Sequence, residues 1–166
     1  MLDWACGTGR HSLLASELGY QVLAIDLRVS PLQADYPEID WQQWDLETGE
    51  MPLAADELFD VIVVTNYLYR SRLNFLFQHL APGGLLLYET FALGNEVFGR
   101  PRNPEFLLKP GELFALCERH HFHVLGYEDG IVYRGDEGPA RVQRVAARKL
   151  PRIDMADSGA NYLLLK

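Results

Sequence analysis

A chain of 166 residues, 48% hydrophobic and 23% charged, supplies one globular domain with a substantial core and leaves no room for a second. Its formal net charge of -8 excludes a general affinity for the phosphate backbone, which needs clustered Lys and Arg. Cys6 and Cys117 are too few for a disulfide framework, their spacing matches no metal site, and no apolar run approaches the about 18 residues of a membrane span. The expectation is a cytoplasmic protein with no metal and no membrane contact, whose partner is a small molecule or a protein.

The chain opens on Asp3-Trp4-Ala5-Cys6-Gly7-Thr8-Gly9, placed where a first strand turns into a first helix. Glycines there permit a tight turn, so that backbone N–H groups and the positive helix end approach an anionic group. Taken alone, the same glycines also suit an ordinary strand-to-helix turn. A helix is predicted from Arg10 to Leu18, with Leu14 and Leu18 one turn apart and Gly19 suited to a left-handed cap. Buried strands are predicted over 21–26, 59–65 and 85–89, with a weaker one over 40–44. A helix from about Arg72 to Leu80 ends before Pro82-Gly83-Gly84, whose glycines turn the chain into the next strand.

A polar stretch dotted with Pro and Gly follows, an active-site lid over about 91–108, and then a helix from Pro110 to about His120 with proline in its first turn. Strands over 123–129 and 140–148 flank Gly135-Asp136-Glu137-Gly138-Pro139 as an antiparallel pair. This alternation defines an α/β, doubly wound sheet spanning 1–150, with 151–166 as an extension of unassigned role.

Carboxylates stand at the ends of three successive strands: Asp3, Asp26 and Asp45. Strand ends border the ligand crevice of an open α/β sheet, so the three acids suit a cationic, ribose-bearing ligand. Asp26 is the candidate for a ribose diol, Asp45 for an adenine amino group and Asp3 for an ammonium, directly or through water. Each also reads as a solvated strand-end acid or a cap.

The run Leu2-Asp3-Trp4-Ala5-Cys6-Gly7-Thr8-Gly9-Arg10 with Asp26, the strand Phe59-Asp60-Val61-Ile62-Val63-Val64, and Pro82-Gly83-Gly84-Leu85-Leu86 resemble the class I S-adenosylmethionine-dependent methyltransferases, over nearly the whole chain to about Arg148. Glu89-Thr90-Phe91, Gly94-Asn95-Glu96, Phe98-Gly99, Asn103-Pro104 and Leu107-Leu108-Lys109-Pro110-Gly111-Glu112-Leu113 resemble, more narrowly, a bacterial subgroup of tellurite-resistance-type methyltransferases. The resemblance implies S-adenosylmethionine as donor and S-adenosylhomocysteine as product. It implies a mostly parallel, seven-stranded, Rossmann-like sheet with an antiparallel last strand, and backbone contacts to the donor around Ala5, Leu27, Leu46 and Asn66. The chain departs from the pattern at Ala5, where the family often has glycine.

An activated sulfonium lets an enzyme work largely by holding acceptor, methyl carbon and sulfur in line, so a catalytic base is optional. On the acceptor side, Asn66, Tyr67, Tyr69 and Arg70 follow the fourth strand, and Glu89, Asn95 and Glu96 the fifth. Tyr67 or Tyr69 suits packing against the methyl or orienting an acceptor, Arg70 an anionic acceptor, and Glu89 a proton. The tyrosines read equally as core edge and Arg70 as a snorkelling side chain. Trp41 and Trp44 read as core.

A nicotinamide-dinucleotide protein is the competing reading, but the third glycine of G-x-G-x-x-G is missing, Gly9 being followed by Arg10, His11 and Ser12. A non-catalytic subunit that binds the donor is a third. The glycine turn comes so soon after Met1 that the first strand is expected to be shorter than the usual five or six residues, truncated unless 151–166 covers the gap.

Overall fold

A computed structural model describes residues 1–28, 30–50 and 52–151. The elements in chain order are β1 (Leu2–Trp4), α1 (Arg10–Glu17), β2 (Leu23–Asp26), β3 (Asp40–Gln43), β4 (Phe59–Thr65), α2 (Arg70–Gln78), β5 (Leu80–Phe91), α3 (Glu112–Arg119), β6 (Phe122–Tyr133) and β7 (Pro139–Lys149). They build one seven-stranded sheet in the order β3-β2-β1-β4-β5-β7-β6. The pairs from β3 through β5 are parallel, and β7 runs antiparallel to both β5 and β6. This is the expected doubly wound, Rossmann-like sheet with an antiparallel last strand.

Strand β1 has three residues and is paired on both sides, Leu2 with Leu23 of β2 and with Ile62 of β4. The order reverses at β1, because the chain first moves outward to β2 and β3 and then returns to β4. Such a switch point opens a crevice at the C-terminal strand ends. Helices α2 and α3 cover one face, with Leu73, Leu76, Phe77, Leu113 and Cys117 packed on Leu2, Trp4, Ile62, Val64 and Leu86. Helix α1 covers the other face over β1 and β2, where Ala15 joins Val22 and Ala24.

Four boundaries differ from the sequence reading. Helix α2 begins at Arg70 instead of Arg72. Pro82-Gly83-Gly84 lies inside β5, as a bulge between the pairs Phe59–Leu80 and Val61–Leu85, instead of preceding it. Gly84 is required there, since a Cβ would stand 2.8 Å from the Ala81 carbonyl oxygen and 3.1 Å from that of Asp60. Helix α3 starts at Glu112 behind a left-handed Gly111, so Pro110 precedes its first turn. Strands β6 and β7 pair from Phe122–Lys149 to Tyr133–Pro139, with a bulge between Val124 and Gly126, over a longer stretch than the turn residues alone indicated.

The stretch expected as a lid contains short 3-10 turns at Asn95–Val97 and Pro104–Phe106. Its ends are stitched to the sheet. Ala92 bridges Leu108, the buried Asn95 Oδ1 accepts the Arg141 N–H, and the buried Gln143 donates to the Lys109 carbonyl and accepts the Leu113 N–H. The part of 151–166 beyond Pro151 lies outside the described residues.

Gly9 caps α1 with φ 87° beneath the Trp41 ring, where an added Cβ would stand 2.4 Å from Cη2; Gly7, with φ 58°, has open space at that position. Gly9→Ala is therefore expected to cost about 2–4 kcal/mol from overpacking plus left-handed strain, and Gly7→Ala only the strain, about 1–2 kcal/mol. Thermal melts of the two variants check this; equal losses would remove the role of Trp41.

Candidate functional site

The loop from β1 to α1 turns through three left-handed residues, Ala5 (φ 59°), Gly7 (φ 58°) and Gly9 (φ 87°). A side chain at such an angle is strained, which explains why glycine suits the first position and why only alanine's small Cβ stands there. The loop is tied to the neighbouring strand. The Gly7 N–H donates to Asp26 Oδ2 at 2.9 Å, and the Arg28 N–H donates to Asp26 Oδ1 at 3.2 Å. The Ser30 hydroxyl donates to the Thr8 carbonyl at 3.1 Å.

Above these contacts lies a cleft of about 340 Å³, lined by Ala5, Gly7, Thr8, Asp26, Asn66 and Tyr67, with Cys6, Arg10 and Thr65 at its borders. Of the sequence candidates, it gathers Ala5, Gly7, Asp26, Asn66 and Tyr67. Burial pushes the Cys6 thiol up to about 12, with the Asp3 and Asp26 carboxylates adding to the effect, so it stands in this cleft as a neutral thiol and not as a nucleophile.

Asp3 sits behind the loop. Its Oδ2 accepts the Ser12 hydroxyl at 2.6 Å, its Oδ1 is buried without a partner, and burial raises its carboxyl above the ordinary range. Ser12 occupies the position that a dinucleotide fingerprint gives to its third glycine, and it is fully buried against this acid.

The remaining donor-side candidates lie apart from the cleft lining. Gly9 is beneath Trp41, and Leu46 is in the core. Leu27 is exposed, with its carbonyl accepting from the Gln43 side chain. Asp45 is exposed and caps its own turn, Oδ1 accepting the Glu47 N–H at 2.9 Å, which lowers its carboxyl below the usual range. Trp44, expected in the core, is 38% exposed, because its indole N–H reaches out to the Glu50 carbonyl.

On the acceptor side, Asn66 is held in a left-handed turn (φ 56°). Its N–H donates to the Glu89 carbonyl at 2.9 Å and its Oδ1 accepts from Arg134 Nη1 at 2.9 Å. Arg134 also pairs with Glu89 Oε1 at 2.7 Å and stacks over Phe91. Glu89 meets Arg144 on its other oxygen at 3.1 Å. Tyr88 donates its hydroxyl to the Tyr67 carbonyl at 2.9 Å, while the Tyr67 hydroxyl is buried without a partner and raised well above its ordinary pKa, mainly by burial.

Arg70, expected to hold an anionic acceptor, spends its donors elsewhere. Nε and Nη2 grip Glu112 at 2.7 and 2.8 Å, and Nη1 and Nη2 reach the Glu105 and Leu107 carbonyls. It clamps the segment after β5 to the start of α2. Tyr69 stands at the N-cap of that helix. Asn95 is buried in the hydrogen bonds described above, and Glu96 is exposed and accepts the Gly94 N–H. Sequence reading missed Arg134, which comes from the β6–β7 hairpin 68 residues beyond Asn66 and gives no local signal. Thr65 and Arg10 adjoin the recognised motifs and were within reach.

A mostly parallel, doubly wound sheet with a glycine-turn cleft at its switch point defines a Rossmann-like fold. The chain belongs to the methyltransferase domain family, whose model matches residues 2–88, just over half of its length. No curated protein matches the chain significantly. Among solved structures, TehB from Haemophilus influenzae is 24% identical with a TM-score of 0.70, covering 89% of this chain and 56% of its own. This chain thus spans little more than half the length of that relative. The 1,6-didemethyltoxoflavin-N1-methyltransferase of Burkholderia thailandensis, bound to 1,6-didemethyltoxoflavin and S-adenosylhomocysteine, is 18% identical with a TM-score of 0.66, covering 90% of this chain and 70% of its own. The [4+2]-cyclase SpnF is 19% identical with a TM-score of 0.63, covering 90% and 74%. These likenesses carry the fold. No helix among the described residues is long and apolar enough to cross a membrane.

Asp26→Ala removes the carboxylate that both faces the cleft and holds the Gly7 amide. It is expected to weaken S-adenosylhomocysteine binding by about 1.5–3 kcal/mol, the range for hydrogen bonds to a charged group. Calorimetric titration of a folded variant checks this, and unchanged affinity would remove Asp26 from the ribose role.

Proposed function

We propose that the chain transfers a methyl group from S-adenosylmethionine to a small-molecule acceptor by in-line displacement. Membership of the methyltransferase domain family supports the reaction. The observation that carries the donor assignment is the Asp26 carboxylate at the floor of the cleft, 2.9 Å from the Gly7 amide and across from Asn66 and Tyr67. In this reading Asp26 accepts the ribose hydroxyls, and the turn at Ala5 and Gly7 lets the backbone approach the methionine end. Asn66 and Tyr67, which line the cleft, stand at the reacting end in this reading. The bound donor supplies an electrophilic methyl on a positively charged sulfur, and the chain's own residues act by orientation. Leu27, Asp45 and Leu46 remain proposed adenine-side neighbours, and Asp3 a water-mediated or remote partner of the ammonium.

A dinucleotide is disfavoured by the buried Ser12–Asp3 bond, which fills the place where a third glycine permits close packing. The small-molecule acceptor is supported by the net charge of -8 and by the likeness to the Burkholderia enzyme, which binds such a substrate. Glu89, paired on both oxygens with arginines, is a proposed acceptor-side residue. The likeness to a [4+2]-cyclase supports a second reading, in which the reaction of the chain is not methyl transfer.

Calorimetric titration with S-adenosylmethionine, S-adenosylhomocysteine and NAD, followed by turnover on a metabolite panel, separates these readings. The expected result is micromolar binding of both adenosyl ligands, about -8 kcal/mol, and none of NAD. Tighter binding of NAD would overturn the donor assignment, and donor binding with no methylated product across the panel would favour the second reading.

A further inference from the structure

Arg134 follows the last residue of β6, where the chain enters the hairpin to β7, and its N–H donates to the Gly138 carbonyl at 3.0 Å. Its guanidinium is held from three directions. Nη2 pairs with Glu89 Oε1 at 2.7 Å, the group lies 4.8 Å from the centre of the Phe91 ring, and Nη1 donates to Asn66 Oδ1 at 2.9 Å. Only 15% of the side chain is exposed. A planar guanidinium gripped by a carboxylate and an aromatic face has little freedom to turn, so its donors toward Asn66 are fixed in direction.

That decides which way round the Asn66 amide stands. Arginine carries N–H donors and no acceptor, so the amide atom facing it is the oxygen, and the reversed amide would set N–H against N–H. The backbone of Asn66 is fixed as well, in its left-handed turn with φ 56° and with its N–H on the Glu89 carbonyl. With Oδ1 spent on Arg134, Nδ2 and its two N–H donors are what the side chain has left for a ligand in the cleft that Asn66 lines. We infer that Arg134 is a positioning residue, which sets the Asn66 amide so that its donors, and not its oxygen, meet the reacting end of a bound donor. The inference rests on the reading of this cleft as the donor site. Set this way, Asn66 holds a lone pair, on the thioether sulfur of the product or on the acceptor, and gives a positively charged sulfonium no oxygen to face.

Calorimetric titration of the full chain with S-adenosylmethionine and S-adenosylhomocysteine tests it, because the two differ at the reacting end by one methyl group and the positive charge. The readout is the ratio of their dissociation constants, which a general loosening of the cleft leaves unmoved. In Arg134→Met the amide is free to reverse and turn its oxygen to the sulfonium, and S-adenosylmethionine is expected to gain on S-adenosylhomocysteine by about fivefold, the weight of one ordinary hydrogen bond. Asn66→Gly, which suits the left-handed turn, removes the amide and its donors and is expected to move the ratio in the same direction. A move the other way would show that the oxygen had faced the sulfonium, and would overturn the inference even where Arg134→Met does not fold. Removing Arg134 also removes a positive charge, so Arg134→Met is added to Asn66→Gly. There the ratio is expected to stay within about twofold of that of Asn66→Gly alone, since the amide through which Arg134 acts is gone. An unmoved ratio in Arg134→Met, or an equal shift with and without the Asn66 side chain, would overturn the inference while leaving the donor site intact. Binding of neither ligand by the parent chain would overturn the donor reading, and the inference with it.

Discussion

The bond from the Gly7 amide to the Asp26 carboxylate joins the two halves of the proposed donor cleft. One partner lies in a loop that leaves the central strand, and the other at the end of its neighbour, so the contact exists only when β1 and β2 pair in register. Asp3 lies level with Ala24 in that register, and the Cys6 N–H donates to the Ile25 carbonyl at 3.0 Å, which carries the pairing past Trp4, the last residue of the strand. The three left-handed residues of the turn depend on this anchoring, since a loop with so much conformational freedom is costly to order without it.

A second set of constraints holds the opposite wall. Asn66 is fixed by its backbone on β5 and by its side chain on Arg134, which reaches in from the β6–β7 hairpin. The antiparallel end of the sheet therefore serves the site as well as closing the fold. Arg134, Glu89, Arg144 and Glu128 form a continuous ion-pair chain across three strands. Its charges balance, which suits a rigid support better than an electrostatic trap for a strongly charged acceptor. The clamp of Arg70 on Glu112 acts in the same way on the segment after β5.

Much of this was legible in the sequence because the signals are local. Apolar runs such as 59–65 marked buried strands, and the glycine turn with an acid about twenty residues on marked the cleft. The resemblance to class I methyltransferases supplied the antiparallel last strand. The pairing of distant residues was not legible. Arg70 carried a charge that suggested an acceptor, yet its partners Glu105, Leu107 and Glu112 come together only through the path of the chain after β5. Asn95 read as a polar lid residue and is buried because the Arg141 amide needs an acceptor. Pro82-Gly83-Gly84 has the composition of a turn, and the strand absorbs it as a bulge because β4 continues alongside.

In the proposed function, the cleft between the β1–α1 turn and the β4 end receives the adenosyl donor, with Asp26 as its ribose acceptor. A crystal structure with S-adenosylhomocysteine tests it most directly. Both ribose hydroxyls are expected within hydrogen-bonding distance of the Asp26 carboxylate, and the sulfur directed toward Asn66 and Tyr67. Ligand density along the apolar face by Leu85 and Leu87, or in the cleft with no contact to Asp26, would contradict it.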